Sequence, residues 1–164
     1  MTQEFDLTPD ARVLQMLGEI NLHQWRCIAE LIDNSIDGFV GAARSGVPIE
    51  HPEITITIPT SNKSDARLSI RDNGPGMAID VLERAVRAGW SGNNPLTNLG
   101  LSGMGFNIAT ARLGTVTEVW TTCAGEPEWV GVRIDLEGLR ASQSYKTPRQ
   151  TRVKPDHSQH GTEI

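Results

Sequence analysis

The order in which helical and extended patterns follow one another constrains the fold of this chain most tightly. Apolar residues recur at helical spacing in some stretches and alternate with polar residues at strand spacing in others. The helical stretches are 8–20, 22–44, 77–89 and part of 100–114, and the extended ones are 53–59, 66–72, 115–123 and 129–136. This paired order does not suit a doubly wound parallel sheet, in which strands and helices alternate one by one. The sequence therefore predicts an α+β fold, a two-layer sandwich with helices packed on one face of a mostly antiparallel sheet.

A single domain is expected from the length, since 164 residues bury roughly 70% of the surface that their unfolded chain exposes. The net charge of −5 argues against a nucleic-acid surface spread over the domain. The start, MTQEFDLTPD, has no apolar run, and no segment approaches the ~20 apolar residues of a membrane span, so we expect a cytoplasmic protein with no membrane partner. Strand character begins again only at HGTEI, so we expect 1–164 to be the N-terminal part of a longer protein.

An uncompensated acidic stripe lies on the second predicted helix, within AELIDNSIDGF. One face carries polar residues at i, i+3, i+4 and i+7, namely Glu30, Asp33, Asn34 and Asp37. The apolar residues expected to face the core are Leu31, Ile32, Ile36 and Phe39. No Lys or Arg lies between Arg26 and Arg44, although like charges at this spacing cost a few tenths of a kcal/mol per pair. The stripe is either a solvated acidic face or a site for chemistry.

Two glycine-rich stretches follow. In IRDNGPGM, a predicted strand ends at Asp72 and passes into a bend with Gly74 and Gly76 on either side of a proline; an ordinary turn is the simpler interpretation. Residues 88–111 are uncharged and rich in glycine, and they run into a helical pattern, which exposes backbone N–H groups suited to an anion. A P-loop is excluded because no Gly-Lys-Ser/Thr occurs, and the dinucleotide fingerprint lacks its strand and third glycine.

Residues 138–160 are polar and rich in turn formers, and they hold five of the fifteen basic residues. We expect a solvated loop there, with a patch that steers phosphates as the alternative. Taken in order, ELIDNSID, DNGPGM, GLSGMGF and the terminal Gly-Thr resemble the N box, the two glycine boxes and the Gly-Thr box of the GHKL ATPase superfamily. The sequences AELIDNSIDG and GMGFNIATARLG most resemble those of the microrchidia-type branch and its bacterial relatives.

The resemblance implies a binding site for ATP and Mg²⁺. Glu30 occupies the position of the base that activates water, Asn34 that of a Mg²⁺ ligand, and Asp72 that of the carboxylate that binds the adenine amine. Asp33 and Asp37 are expected to tune the site, and Thr162 to support Asp72. The two glycine boxes supply the remaining nucleotide contacts: Gly74, Gly76, Met77, Gly100, Leu101, Ser102, Gly103, Met104, Gly105 and Phe106. Residues 89–105 would form a lid over the nucleotide.

The function implied is slow ATP hydrolysis to ADP and phosphate, with lid closure and ATP-driven homodimerisation controlling a larger machine that acts on DNA or protein. The predicted lid contains no Lys or Arg to reach the γ-phosphate, which is a departure from several relatives and favours slow turnover. A nucleotide-sensing module without useful turnover is a second hypothesis. The catalytic domain of a histidine kinase is the third; His23 lies too close to Glu30 to be its phosphoacceptor.

Overall fold

Four helices and six strands make up the part of the chain that the structure describes. The computed structural model covers residues 16–61, 63, 66–87, 105–143 and 145–164. The helices are α1 (Gln24–Arg44), α2 (Ile79–Val86), α3 (Gly105–Leu113) and α4 (Leu136–Ser142). The strands are β1 (Ile54–Thr57), β2 (Ser69–Asp72), β3 (Val116–Thr122), β4 (Glu128–Asp135), β5 (Arg149–Val153) and β6 (Gly161–Glu163). Residues 8–15 of the predicted first helix (8–20) lie outside the described residues.

The six strands form one sheet in the order β1-β2-β6-β3-β4-β5, and every neighbouring pair is antiparallel. The short strand β6 joins β2 to β3 in the middle of the sheet, with Thr162 opposite Asp72 on one side and Thr121 on the other. Helices α1 and α3 pack on each other and over the sheet through a core of Cys27, Leu31, Ile70 and Ala109. The predicted α+β two-layer architecture is confirmed.

Helix α1 buries a stripe that differs from the predicted one. Its buried residues are Cys27, Leu31, Ser35 and Ala42, whereas Ile36 is 37% exposed. The stripe follows steps of about four residues, and its small members let the helix approach the sheet closely. The helix ends before Gly46, which takes a positive φ of 80° while hydrogen bonds return from this turn to the last turn of the helix, as is usual for a glycine that ends a helix.

Two other predictions about the sheet are wrong. The alternating isoleucines of 53–59 predict a strand with one face buried, but only Ile54 packs against the core; Ile56 is 39% exposed, and Ile58, just after the edge strand β1, is 65% exposed. Residues 138–160 were expected to form a loop, yet they contain the end of α4 and the whole of β5, the opposite edge strand. Pairing on one side only lets an edge strand carry the polar sequence RQTRV.

The sheet face opposite the core carries stacked aromatic and cationic side chains. The guanidinium of Arg152 lies 4.6 Å from the ring centre of Trp120 and 4.9 Å from that of Trp129. Gly131, opposite Trp120 on β4, leaves room for the indole to lie flat on the sheet. Arg152 also forms an ion pair of 2.9 Å with Glu163 of β6, so cation–π contacts and this ion pair together hold the basic side chain of β5 against the sheet. None of the described helices has the length and apolar character to cross a membrane.

Candidate active site

Asp72 ends β2, and its carboxylate is held by three hydrogen bonds. Oδ1 accepts from the backbone N–H groups of Gly74 at 2.8 Å and Thr162 at 3.1 Å. Oδ2 accepts from the Ser35 hydroxyl of α1 at 2.8 Å. The residue is 9% exposed, so these bonds replace most of the water that the charge loses on burial. Oδ2 keeps a lone-pair direction for a further donor, which suits it to bind an amine.

The bend after Asp72 is shaped by close backbone approach. Gly76 has a φ of 71°, and a Cβ there would overlap the carbonyl oxygen of Thr122. Only glycine fits this position without moving β3. The Gly74 carbonyl accepts a hydrogen bond of 2.7 Å from Nδ1 of His160, which anchors the bend to the segment before β6.

Thr121 connects the glycine bend to the Gly-Thr segment. Its fully buried hydroxyl accepts from the Met77 backbone N–H at 2.9 Å and donates to the Gly161 carbonyl at 3.0 Å. The hydroxyl of Thr162 lies 3.1 Å from it. One strand residue thus fixes both loops beside Asp72, so the two loops cannot separate without breaking buried hydrogen bonds.

Glu30 meets the start of α3. A Cβ built on Gly105 would overlap Oε1 of Glu30 and lie 2.6 Å from its Cδ, so the carboxyl group rests directly on the first residue of that helix. Phe106 packs against the core beside it. The structure therefore brings the acidic stripe of α1 together with the end of the second glycine segment, although the two are about 75 residues apart in the chain. A helix N-terminus with unpaired N–H groups is suited to an anion.

The Glu30 carboxyl has a raised pKa. Partial burial is the largest cause, and the neighbouring carboxylates of Asp33 and Asp37 add repulsion. A carboxylate with a pKa closer to neutrality is a better proton acceptor at physiological pH than an exposed one. This is the electrostatic consequence of the uncompensated stripe found in the sequence.

Asn34 lies one turn after Glu30 and is exposed. Among the described residues, no three His, Cys, Asp or Glu side chains form a metal-binding cluster. Mg²⁺ normally keeps several waters and takes few protein oxygens beside substrate phosphates, so a single amide oxygen at this accessible place fits its requirements.

The remaining predicted nucleotide contacts lie outside the described residues: Gly100, Leu101, Ser102, Gly103 and Met104, together with the rest of the predicted lid up to Gly105. Sequence reasoning missed two residues, Ser35 and Thr121. Both had a signal, because Ser35 follows Leu31 by four residues on the buried stripe, and Thr121 follows buried Val119 by two on β3.

The all-antiparallel sheet, with helices on one face and a carboxylate and glycine bends at their junction, defines the Bergerat class of ATP-binding fold. The chain belongs to the family described as Histidine kinase-, DNA gyrase B-, and HSP90-like ATPase, whose model matches residues 22–162. Membership of this family indicates that the chain is an ATP-binding domain of the ATPase type.

Proteins of Arabidopsis thaliana are similar to this chain. Protein MICRORCHIDIA 7 is 32% identical over 108 residues, Protein MICRORCHIDIA 4 is 30% identical over 107, and Protein MICRORCHIDIA 3 is 34% identical over 94. These alignments cover 63%, 63% and 57% of this chain but only 14%, 12% and 15% of those proteins. The chain thus spans about one seventh of their length or less. The predicted superfamily is confirmed, and the similarity to MICRORCHIDIA proteins is consistent with the predicted microrchidia-type branch.

Proposed function

We propose that this domain binds ATP with Mg²⁺ and hydrolyses it slowly to ADP and phosphate, with Glu30 as the base that orients and deprotonates the attacking water. The contact between the Glu30 carboxyl and the first residue of α3 carries the proposal. It puts a carboxyl group of raised pKa beside a helix N-terminus, where a nucleotide's phosphates would find backbone N–H donors.

Asp72 binds the adenine in this proposal. With Oδ1 fixed by two backbone N–H groups and Oδ2 held by Ser35, the carboxylate has one orientation in which to accept a hydrogen bond from the exocyclic amine. Guanine presents an oxygen at that position, so two acceptors would face each other and ATP is preferred over GTP. Gly74, Gly76 and Met77 lie on the bend beside the base, and Thr162 supports the carboxylate.

Asn34 holds Mg²⁺ through its side-chain oxygen, and Asp37 lies one turn further along the same face of α1. When bound, the metal neutralises charge on the phosphates. The lid (89–105) closes over the nucleotide through Gly100, Leu101, Ser102, Gly103, Met104, Gly105 and Phe106. The absence of Lys and Arg from this segment of the sequence supports slow turnover.

ATP binding drives homodimerisation and controls a larger machine that acts on DNA or a protein client. The similarity to much longer MICRORCHIDIA proteins, of which the alignment covers 14% in the case of Protein MICRORCHIDIA 7, supports a role as one module of a larger assembly. A cytoplasmic location is part of this proposal.

Phosphate release by Glu30→Gln tests the catalytic role. We expect a loss of about 10²- to 10⁴-fold in turnover, the usual contribution of a general base, with ATP affinity changed only a few-fold. Glu50→Gln, which neutralises an exposed glutamate in the loop after α1, is the matched control and should keep the wild-type rate. Equal turnover of wild type and Glu30→Gln would refute hydrolysis by Glu30 and favour a module that only senses nucleotide.

A further inference from the structure

Helix α3 contains a buried polar group that has no hydrogen-bond partner among the residues that the structure describes. Asn107, its third residue, is 7% exposed. Its Nδ2 is the one buried side-chain nitrogen or oxygen without a hydrogen-bond partner among the residues that the structure describes. Buried polar groups are nearly always paired in native proteins, because an unmade hydrogen bond leaves the cost of desolvation uncompensated. Such a group is explained when a ligand supplies the missing acceptor.

The position of Asn107 indicates which ligand atoms it would meet. Side chains on an α-helix lean toward its N-terminus, so the amide of Asn107, the third residue of α3, leans toward the first turn of this helix. The neighbouring hydroxyl of Thr110 is already used, since it donates to the carbonyls of Phe106 and Asn107 in its own helix. The amide N–H is thus the side-chain donor left over at this end of α3.

The segment around Asn107 is poor in side chains that could bind a phosphate. Residues 88–111 contain no Lys or Arg, so the segment that precedes α3 and forms its first turns offers a phosphate no cationic side chain; Arg112 lies in the last turn of the helix. An amide N–H supplements backbone N–H groups at a helix N-terminus without adding charge beside Glu30.

We propose that Asn107 is a nucleotide-binding residue whose Nδ2 donates a hydrogen bond to a phosphate oxygen of the bound ATP. The proposal rests on the proposed function, in that it requires nucleotide at the start of α3. In this proposal, Asn107 supplies part of the phosphate contact that a lysine would make in a charged lid. The contribution of Asn107 to affinity therefore depends on the phosphates of the ligand and not on its base.

Calorimetric titration of the whole chain with adenosine, AMP, ADP and ATP in Mg²⁺ tests the proposal. Asn107→Leu keeps the number and branching of the side-chain heavy atoms and removes the N–H. It should weaken binding about 10- to 100-fold for every ligand that carries the contacted phosphate and leave adenosine binding unchanged. Asn107→Asp, which faces the phosphate with a carboxylate, should lose more. The matched control is Thr110→Val, one turn along and equally buried, which should leave this dependence on phosphate unchanged.

Unfolding of the ligand-free variants separates recognition from structure. Because Nδ2 has no partner in the free protein, Asn107→Leu should unfold at the same denaturant concentration as wild type or a higher one. A lower midpoint, equal weakening of adenosine and ATP, or unchanged ATP affinity would each overturn the assignment. Failure of wild type itself to bind ATP would instead refute the proposed function.

Discussion

Replacing Asp72 by asparagine isolates one hydrogen bond in an otherwise preserved pocket. The Oδ1 position receives two backbone N–H donors, so the new amide must place its oxygen there and its NH₂ group at the former Oδ2. The Ser35 hydroxyl then turns from donor to acceptor, which keeps the contact. The fold therefore survives at a cost of about 1–2 kcal/mol, because hydrogen bonds to a charged group become neutral ones.

The loss in binding is larger than the loss in stability. The exocyclic amine of adenine loses a charged acceptor, worth about 1.5–3 kcal/mol, and meets a second donor instead. We expect ATP affinity to fall by about 10- to 150-fold or more. Calorimetry with ATP and with purine riboside triphosphate, which lacks the amine, should show that wild type discriminates between them by this factor and that Asp72→Asn does not.

The control and the refuting outcomes follow from the same geometry. Ser35→Ala keeps the carboxylate and both backbone hydrogen bonds, so it should retain discrimination between the two ligands at lower affinity. Equal binding of the two ligands by wild type would show that no carboxylate contacts the amine. Full ATP affinity in folded Asp72→Asn, checked by circular dichroism, would remove Asp72 from the base pocket.

Three further outcomes are expected. Gly76→Ala should lower the free energy of unfolding, measured by urea titration, by about 2 kcal/mol more than Gly125→Ala does. Both glycines have a positive φ, but only Gly76 lies against a carbonyl, that of Thr122. Equal losses of stability would contradict this close approach. Asn34→Ala should weaken ATP binding in Mg²⁺ and leave it unchanged in EDTA, and equal weakening would exclude the metal role. The pKa of Glu30 is raised above its ordinary value of 4.5 in the folded state, so its ionisation destabilises the fold as pH rises through that raised value. Glu30→Gln should therefore raise the unfolding midpoint at pH 7 and not at pH 4, and a rise at both would refute this origin.

The sequence predicted what depends on local pattern. Helical spacing located α1 and α3, and the chemistry of an unpaired acidic stripe and two glycine stretches pointed to one site before any contact was known. The contact of Glu30 with Gly105 and the hydrogen bond from Thr162 to Asp72 agree with that convergence. These residues were identifiable because their types are unusual for an ordinary helix or strand.

The exposure of strand residues and the contacts between strands could not be predicted, because they depend on which strands are neighbours in the sheet. Residues 53–59 have the alternation of a half-buried strand, but the position of β1 at the sheet edge leaves Ile56 39% exposed and Ile58, just after the strand, 65% exposed. In the same way, β5 has no apolar alternation and is held through Arg152 between two tryptophans of neighbouring strands. Exposure and cation–π contacts are properties of the assembled sheet, so periodicity along the chain does not contain them.

The place of β6 in the sheet imposes an order of events during synthesis. Its Thr162 bonds to Asp72 and to Thr121, which precede it by 90 and 41 residues. In the sheet order, β6 lies between β1-β2 and β3-β4-β5. Before β6 has been synthesised, these two sets of strands have no strand to join them. Closure over such long separations is slow, and the hydrogen bond that Thr162 gives to Asp72, the proposed adenine-binding residue, forms only at that moment. For a nascent chain, the first ability to hold ATP and the completion of the fold are then a single event.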